Sequence, residues 1–181
     1  MITAEALPPP YRWLLSESGP RMLLEALEIY GTLETPGASD NPTILAWAHE
    51  IGSELGAPYL HDSTAWCGLT MAIVAKRAGK RLPTIPLRAL QWAFFGVPSS
   101  TPMLGDVLVF ARKGGGHVAL YVGEDDHAYH CLGGNQADAV SITRIAKPRL
   151  FVARRPAYNV TPANVRRVFL SAAGAISTNE A

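Results

Sequence analysis

The amino-acid sequence predicts an α+β domain in which N-terminal helices pack on an antiparallel sheet of five or six strands. Two observations lead to this prediction. Apolar residues recur at helical spacing in the first half of the chain, whereas from residue 106 onward short runs rich in β-branched and aromatic residues are separated by Gly and Asp. Helices followed by strands are typical of α+β domains, because parallel α/β domains interleave the two.

Four segments carry the helical pattern and end at Gly: 20–31, 42–56, 67–79 and 86–96. All but the third have Pro near the start. The third is apolar on nearly all sides, which indicates a buried helix. Five strands are predicted to follow, in the runs DVLVF, HVALYVG, HAYHCLGG, AVSITRI and LFVARRP.

Composition narrows the class of protein. The chain has 181 residues, 48% of them hydrophobic and 17% charged, with a net charge of +1. Such a chain is long enough to bury roughly two-thirds of its unfolded surface, and its charge is too small to attract nucleic acid. Two cysteines are too few for a disulfide framework, and no apolar run reaches membrane-spanning length. We expect a soluble monomer with no cofactor and no membrane insertion.

The domain boundaries are predicted from changes in composition. Residues 1–19 contain the PPP run, which favours an extended backbone, so we expect an extended lead there. Residues 20–156 form the main domain, and residues 157–181 are a C-terminal tail with one possible short helix and a mobile end. The first 20 residues lack a basic segment followed by an apolar one, which predicts no signal peptide and synthesis in the cytoplasm.

The chemistry is predicted from three residues in order. Cys67 stands where a polar segment becomes a helix, and a helix N-terminus lowers the pKa of a thiol and makes it a better nucleophile. His117 follows in the strand GGGHVALYVG, and Asn135 follows in CLGGNQADAVSI. A cysteine hydrolase needs a thiolate, a base and a group that orients the base, so this order predicts a Cys67–His117–Asn135 site. The Cys67 backbone amide is the predicted oxyanion donor.

Each of these residues, taken alone, has another interpretation. Cysteines in apolar helices are usually small buried hydrophobes, and histidines often lie at strand ends. Asn135 also fits a turn residue with a left-handed backbone. A disulfide between Cys67 and Cys131 is disfavoured because it would disable the nucleophile. A metal site at His127, His130 and Cys131 is disfavoured because the usual ligand spacings are absent.

Four runs together resemble the papain-like cell-wall hydrolases of the NlpC/P60 and CHAP superfamily, in particular a phage-associated branch. The runs are AWCGL at 65–69, LGDVLVF at 104–110, GHVALYVG at 116–123 and LGGNQADAVSI at 132–142, and the similarity spans about residues 20–155. The resemblance implies a papain-like fold with Cys67 as nucleophile, His117 as base and Asn135 as the residue that orients the base. Many CHAP members have Glu two residues before that Asn, where this chain has Gly133.

The resemblance further implies hydrolysis of an amide in peptidoglycan, either between muramic acid and the first alanine or within the stem peptide or its cross-link. The enzyme would reach the wall through a holin or in a phage particle. A non-catalytic wall-binding or virion module, or an enzyme that acts on a different amide, are the alternatives. Four residues are predicted to bind substrate: Asp62, Trp66, Trp92 and Gln136. For the two tryptophans a place in the core is an equal alternative, and for Asp62 a capping role is the alternative.

Overall fold

The computed structural model describes residues 6–37, 39–56, 59–112, 114–172 and 174–177. Its centre is one six-stranded sheet in which every neighbouring pair is antiparallel, in the order β1, β6, β2, β3, β4, β5. The strands are β1 (Val97–Ser99), β2 (Val107–Arg112), β3 (Gly115–Glu124), β4 (Ala128–Gly133), β5 (Ser141–Ala146) and β6 (Leu150–Arg155). The predicted α+β class and antiparallel sheet are confirmed.

Within the described residues, four α-helices precede the sheet: α1 (Arg21–Glu28), α2 (Pro42–Ile51), α3 (Ser53–Gly56) and α4 (Cys67–Arg77). Asn41 caps α2, because its Oδ1 accepts from the Thr43 amide at 2.8 Å. Three 3₁₀ helices span Pro9–Ser16, Ala89–Phe94 and Lys147–Arg149. The predicted fourth helix is therefore the second of these 3₁₀ segments, and it is shorter than its pattern suggested.

Helix α4 is the buried helix that its composition predicts. Its first nine residues, from Cys67 to Ala75, are all buried. The helix ends at Arg77, and Gly79 follows it with a φ of 68°. The Lys80 amide donates to the Ala75 carbonyl at 2.8 Å. Glycine accepts this left-handed conformation without steric cost. Burial of α4 against the sheet fixes the position of Cys67, its first residue.

The core lies on both faces of the sheet. The larger cluster joins α1, α2 and α4 to apolar side chains of β2, β3 and β4. A smaller cluster lies on the other side, around Leu108, Phe110, Tyr121, Cys131 and Ile145. Burial on both faces explains why β2, β3 and β4 are apolar over most of their length rather than alternating.

The predicted extended lead at residues 1–19 is wrong for its second half. Residues Pro9–Ser16 form a 3₁₀ helix, and Leu7, Tyr11 and Leu14 are buried in the core. Proline suits the first turn of a helix, and the apolar side chains beyond it bury a shared face, which outweighs the extended preference of the PPP run. Residues 1–5 lie outside the described part.

The C-terminal tail holds no helix in residues 157–172 and 174–177; it returns to the sheet instead. The amides of Glu124 and Leu170 donate to the carbonyls of Val168 and Glu124, each at 2.8 Å. A further bridge joins Arg144 and Ile176. Residues 178–181, which include the predicted mobile end, lie outside the described residues. No helix within the described ranges is long and apolar enough to cross a membrane.

Candidate active site

Cys67 lies at the first residue of α4 and lines an open cleft of about 460 Å³. Residues 87–91 form one wall, and Arg112 with Gly114–Gly116 forms another. The next residue, Gly68, allows the helix start to approach the first wall closely, since a Cβ built there would lie 2.3 Å from the Leu87 carbonyl oxygen. The predicted place of the thiol, a helix start beside a groove, is what the structure shows.

His117 lies in β3, opposite Phe110 of β2, and its side chain is fully buried. The imidazole stacks on the Phe110 ring with 6.4 Å between the ring centroids. The backbone amide of Val118, the residue directly after His117, acts on the Cys67 thiol as a hydrogen-bond donor. The cysteine and the histidine-bearing strand are thus brought together, as the order of the residues predicts.

Gln136 holds the His117 ring. Its Oε1 lies 3.0 Å from His117 Nε2, and its Nε2 donates to the carbonyls of Cys131 at 3.2 Å and Ser141 at 2.6 Å. Two carbonyl acceptors fix which end of the amide is nitrogen, so Oε1 must accept from the ring. His117 therefore carries its proton on Nε2 when neutral, which leaves Nδ1 as the basic nitrogen.

The orienting role predicted for Asn135 falls instead to its neighbour. Among the described residues, Gln136 and not Asn135 makes the hydrogen bond to His117 Nε2. Asn135 has φ 57°, in the left-handed region, so the turn interpretation accounts for it. Gln136 is fully buried, which corrects its predicted substrate contact to a positioning one. Asn135 and Gln136 are adjacent in the sequence, and the sequence does not show the turn that directs Gln136 to His117.

The predicted lowering of the Cys67 pKa is wrong. Burial raises the pKa of this thiol, and the backbone amides of Val118 and Gly68 and the guanidinium of Arg112 oppose that effect only in part. Desolvation disfavours the charged form of a buried thiol more than one helix terminus favours it. Burial therefore favours the neutral form of the Cys67 thiol.

Trp66 and Trp92 belong to the core and not to the groove. Both are completely buried. The Trp66 Nε1 donates to Glu34 at 3.0 Å and its ring packs on Trp47, while the Trp92 Nε1 donates to the Pro86 carbonyl at 2.9 Å. Their predicted substrate contact is corrected to the alternative, in which aromatic residues support the site from behind.

Asp62 is also buried, with 1% of its surface exposed, so its predicted contact with substrate is wrong. Its Oδ2 accepts from the amides of Thr35 at 2.9 Å and Asn41 at 2.7 Å. It therefore holds the loop before α2, in line with the alternative capping role.

Cys67 and Cys131 are not joined by a disulfide, and the two lie in different core clusters. His130, which was considered as a metal ligand, uses Nδ1 toward the Tyr11 hydroxyl at 2.7 Å and Nε2 toward Asp125 at 2.9 Å. Both ring nitrogens thus serve a buried network that ties the N-terminal 3₁₀ helix to the sheet.

Arg88 and Arg112 line the cleft with Cys67, and neither is predicted from the sequence. The only signal for Arg112 is its place two residues before the glycine run that precedes His117. Arg88 lies 21 residues after Cys67, and only folding brings it to the thiol. Neither a comparison with protein-family models nor one with curated proteins gives a match to this chain.

Proposed function

We propose that this protein is a cysteine-dependent hydrolase of the papain-like class that cleaves an amide bond of peptidoglycan. The observation that carries the proposal is the thiol of Cys67 at a helix start in an open cleft, beside a strand whose His117 is held by Gln136. A nucleophile, a base and a positioning residue are the three groups that acyl transfer requires. The four sequence runs that resemble phage-associated wall hydrolases supply the substrate class.

The acylation step follows from the tautomer of His117. Its Nδ1 takes the proton of the Cys67 thiol while the sulfur attacks the carbonyl carbon of the scissile amide. Backbone N–H groups at the start of α4, including that of Cys67, stabilise the oxyanion that forms. The tetrahedral intermediate then collapses to a thioester, and the leaving amine takes the proton from His117. Throughout this step Gln136 accepts from Nε2 and keeps the ring in place.

The deacylation step uses the same groups in reverse. His117 takes a proton from water, the resulting hydroxide attacks the thioester carbonyl, and the Cys67 sulfur leaves and is reprotonated. One water is consumed for each amide cleaved, and no cofactor enters. Because the resting thiol is neutral, His117 acts as a general base and not as the partner of a permanent thiolate.

The proposal includes the location of the substrate. Peptidoglycan lies outside the cytoplasmic membrane, so we propose delivery through a holin or in a phage particle, with the chain acting as a monomer on its polymeric substrate.

The test is the mass of fragments that the purified protein releases from isolated sacculi, since each bond gives a different new end group. We expect release by the parent protein and by Cys131→Ser, which removes the other cysteine and leaves the Cys67 thiol in the cleft. We expect none from Cys67→Ala or His117→Ala. Binding of sacculi without new ends would favour a wall-binding module, and equal release by Cys67→Ala would rule out the proposed nucleophile.

A further inference from the structure

The cleft that contains Cys67 has an unusual charge. The two charged side chains among its described lining residues are Arg88 and Arg112, and no described carboxylate lines it. Neither arginine forms an ion pair with a carboxylate in the part of the chain that the structure describes. The protein as a whole carries only +1, so this positive charge is local and not a general property of the surface.

Several other arginines of the chain are paired with carboxylates. Arg144 contacts Asp125 at 2.8 Å, Arg155 contacts Asp106 at 2.8 Å, and Arg167 contacts Glu124 at 2.9 Å. A guanidinium is a planar fork that binds a carboxylate through two parallel hydrogen bonds. Two such forks without a protein carboxylate, in the cleft that leads to the nucleophile, are suited to an anionic ligand.

We infer that Arg88 and Arg112 form an anion subsite that binds a free carboxylate of the substrate near the scissile amide. The inference rests on the proposed function and makes it narrower: the substrate is a peptide or peptidyl segment with a carboxylate, not a carboxamide, close to the bond that is cut. Arg88 and Arg112 line the same cleft as Cys67, so a carboxylate bound there would hold the substrate chain beside the sulfur. Arg112 also acts directly on the thiol, where its charge favours the thiolate.

The subsite is tested by alkylation of Cys67 with two reagents of nearly the same shape, iodoacetate and iodoacetamide. In both reactions the sulfur bonds to the methylene carbon and iodide leaves, and only iodoacetate carries a carboxylate. The measured quantity is the ratio of the two rate constants at Cys67, followed by mass spectrometry of the modified peptide. We expect this ratio to be about tenfold higher in the parent protein than in the Arg88→Gln/Arg112→Gln double variant, as for loss of a charge-assisted hydrogen-bonded pair.

Arg81→Gln is the matched control, because Arg81 lines the neighbouring cavity and not the Cys67 cleft. It removes one positive charge at a similar place on the surface, and we expect it to leave the ratio unchanged. Thermal unfolding of all variants reports their folding. An equal ratio in the parent and the double variant, an equal loss in Arg81→Gln, or a Cys67 inert to both reagents would overturn the inference.

A second measurement separates this inference from the proposed function. Sacculi whose carboxylates have been converted to amides should be cleaved about tenfold more slowly than native sacculi by the parent protein, and at equal rates by the double variant. Cleavage of both sacculi at the same rate by the parent protein would contradict the subsite and leave the hydrolase proposal intact. A protein that releases nothing from native sacculi but keeps the alkylation ratio would contradict the hydrolase proposal and leave the subsite intact.

Discussion

Gln136 Oε1 accepts a hydrogen bond from His117 Nε2 at 3.0 Å, and the two carbonyls that bind the other end of the amide fix that arrangement. The contact assigns the proton of the neutral imidazole to Nε2. It also makes Gln136 the positioning residue of the proposed site, one residue after the Asn135 that the sequence predicts.

Gln136→Ala should lower kcat on sacculi by about a hundredfold, because a displaced base costs roughly that much in a proton-transfer step. KM should change little, since the buried Gln136 does not reach the cleft. Asn135→Gly is the matched control, because glycine keeps the left-handed backbone and removes only the side-chain amide. A loss in Asn135→Gly as large as that in Gln136→Ala would return the positioning role to Asn135.

The pH midpoint for alkylation of Cys67 by iodoacetamide should be shifted upward from that of a free cysteine, whereas the midpoint of many activated thiols is shifted downward. Burial raises the pKa of Cys67 above its ordinary value, so the thiolate forms only at higher pH than in a free cysteine. The rate should therefore keep rising at pH values where the reaction of a cysteine peptide has reached its plateau. A midpoint below that of the peptide would show that the thiol is a preformed thiolate.

Gly134→Ala should destabilise the fold by about 1–3 kcal/mol, the usual cost of overpacking a core. A Cβ at this position would lie 1.9 Å from Thr70 Oγ1 and 2.8 Å from Trp66 Cε3, both within the helix that positions Cys67 or directly before it. Gly115→Ala is the control, since a Cβ there meets nothing within 4 Å. Urea unfolding with a fitted midpoint measures both, and equal midpoints would argue against close packing of the GGNQ turn on α4.

The N-terminal 3₁₀ helix is part of the core, so Leu14→Ala should lower the free energy of unfolding by about 2–5 kcal/mol. Leu60→Ala removes the same atoms from a side chain that is 68% exposed, and should change that free energy by no more than about 0.5 kcal/mol. Chemical denaturation compares the two. An equally small effect of Leu14→Ala would mean that the segment is an appendage, as its prolines first suggested.

Acid should destabilise the protein through the network of Tyr11, Asp125, His130 and Arg144. The Arg144 hydrogen bond holds the pKa of Asp125 well below its usual range, and burial lowers the pKa of His130 from its ordinary value of 6.5. Both groups bind protons more readily in the unfolded chain, so stability is full above pH 6.5 and falls as the pH decreases, first through His130 and then through Asp125.

His130→Gln should reduce the loss of stability that protonation of His130 causes. The loss that protonation of Asp125 causes at lower pH should remain. Unfolding midpoints at several pH values measure both parts. A variant whose stability falls between pH 7 and pH 5 as steeply as that of the parent would contradict the role of His130.

Local patterns were sufficient for much of the fold. Helix α4, the antiparallel strands and the place of Cys67 at a helix start follow from apolar spacing and from glycine and proline at segment ends, which act over a few residues. The lead before Pro20 was mispredicted because its burial depends on a distant partner: the Tyr11 hydroxyl meets His130 across 119 positions of sequence. A contact of that range has no signature in the neighbouring residues.

In the candidate site, too, some features are set by neighbouring residues and others by residues that are distant in the sequence. The positions of Cys67 at a helix start and of His117 in a strand were predicted from the sequence because both are set by neighbouring residues. Gln136 and not Asn135 contacts His117 because of one left-handed turn. Trp66, Trp92 and Asp62 lie outside the groove because they are buried. Arg88 and Arg112 line the cleft with Cys67 because folding brings two distant segments together. The raised pKa of Cys67 has the same origin, since desolvation is set by everything packed around the sulfur and not by the residues next to it in the chain.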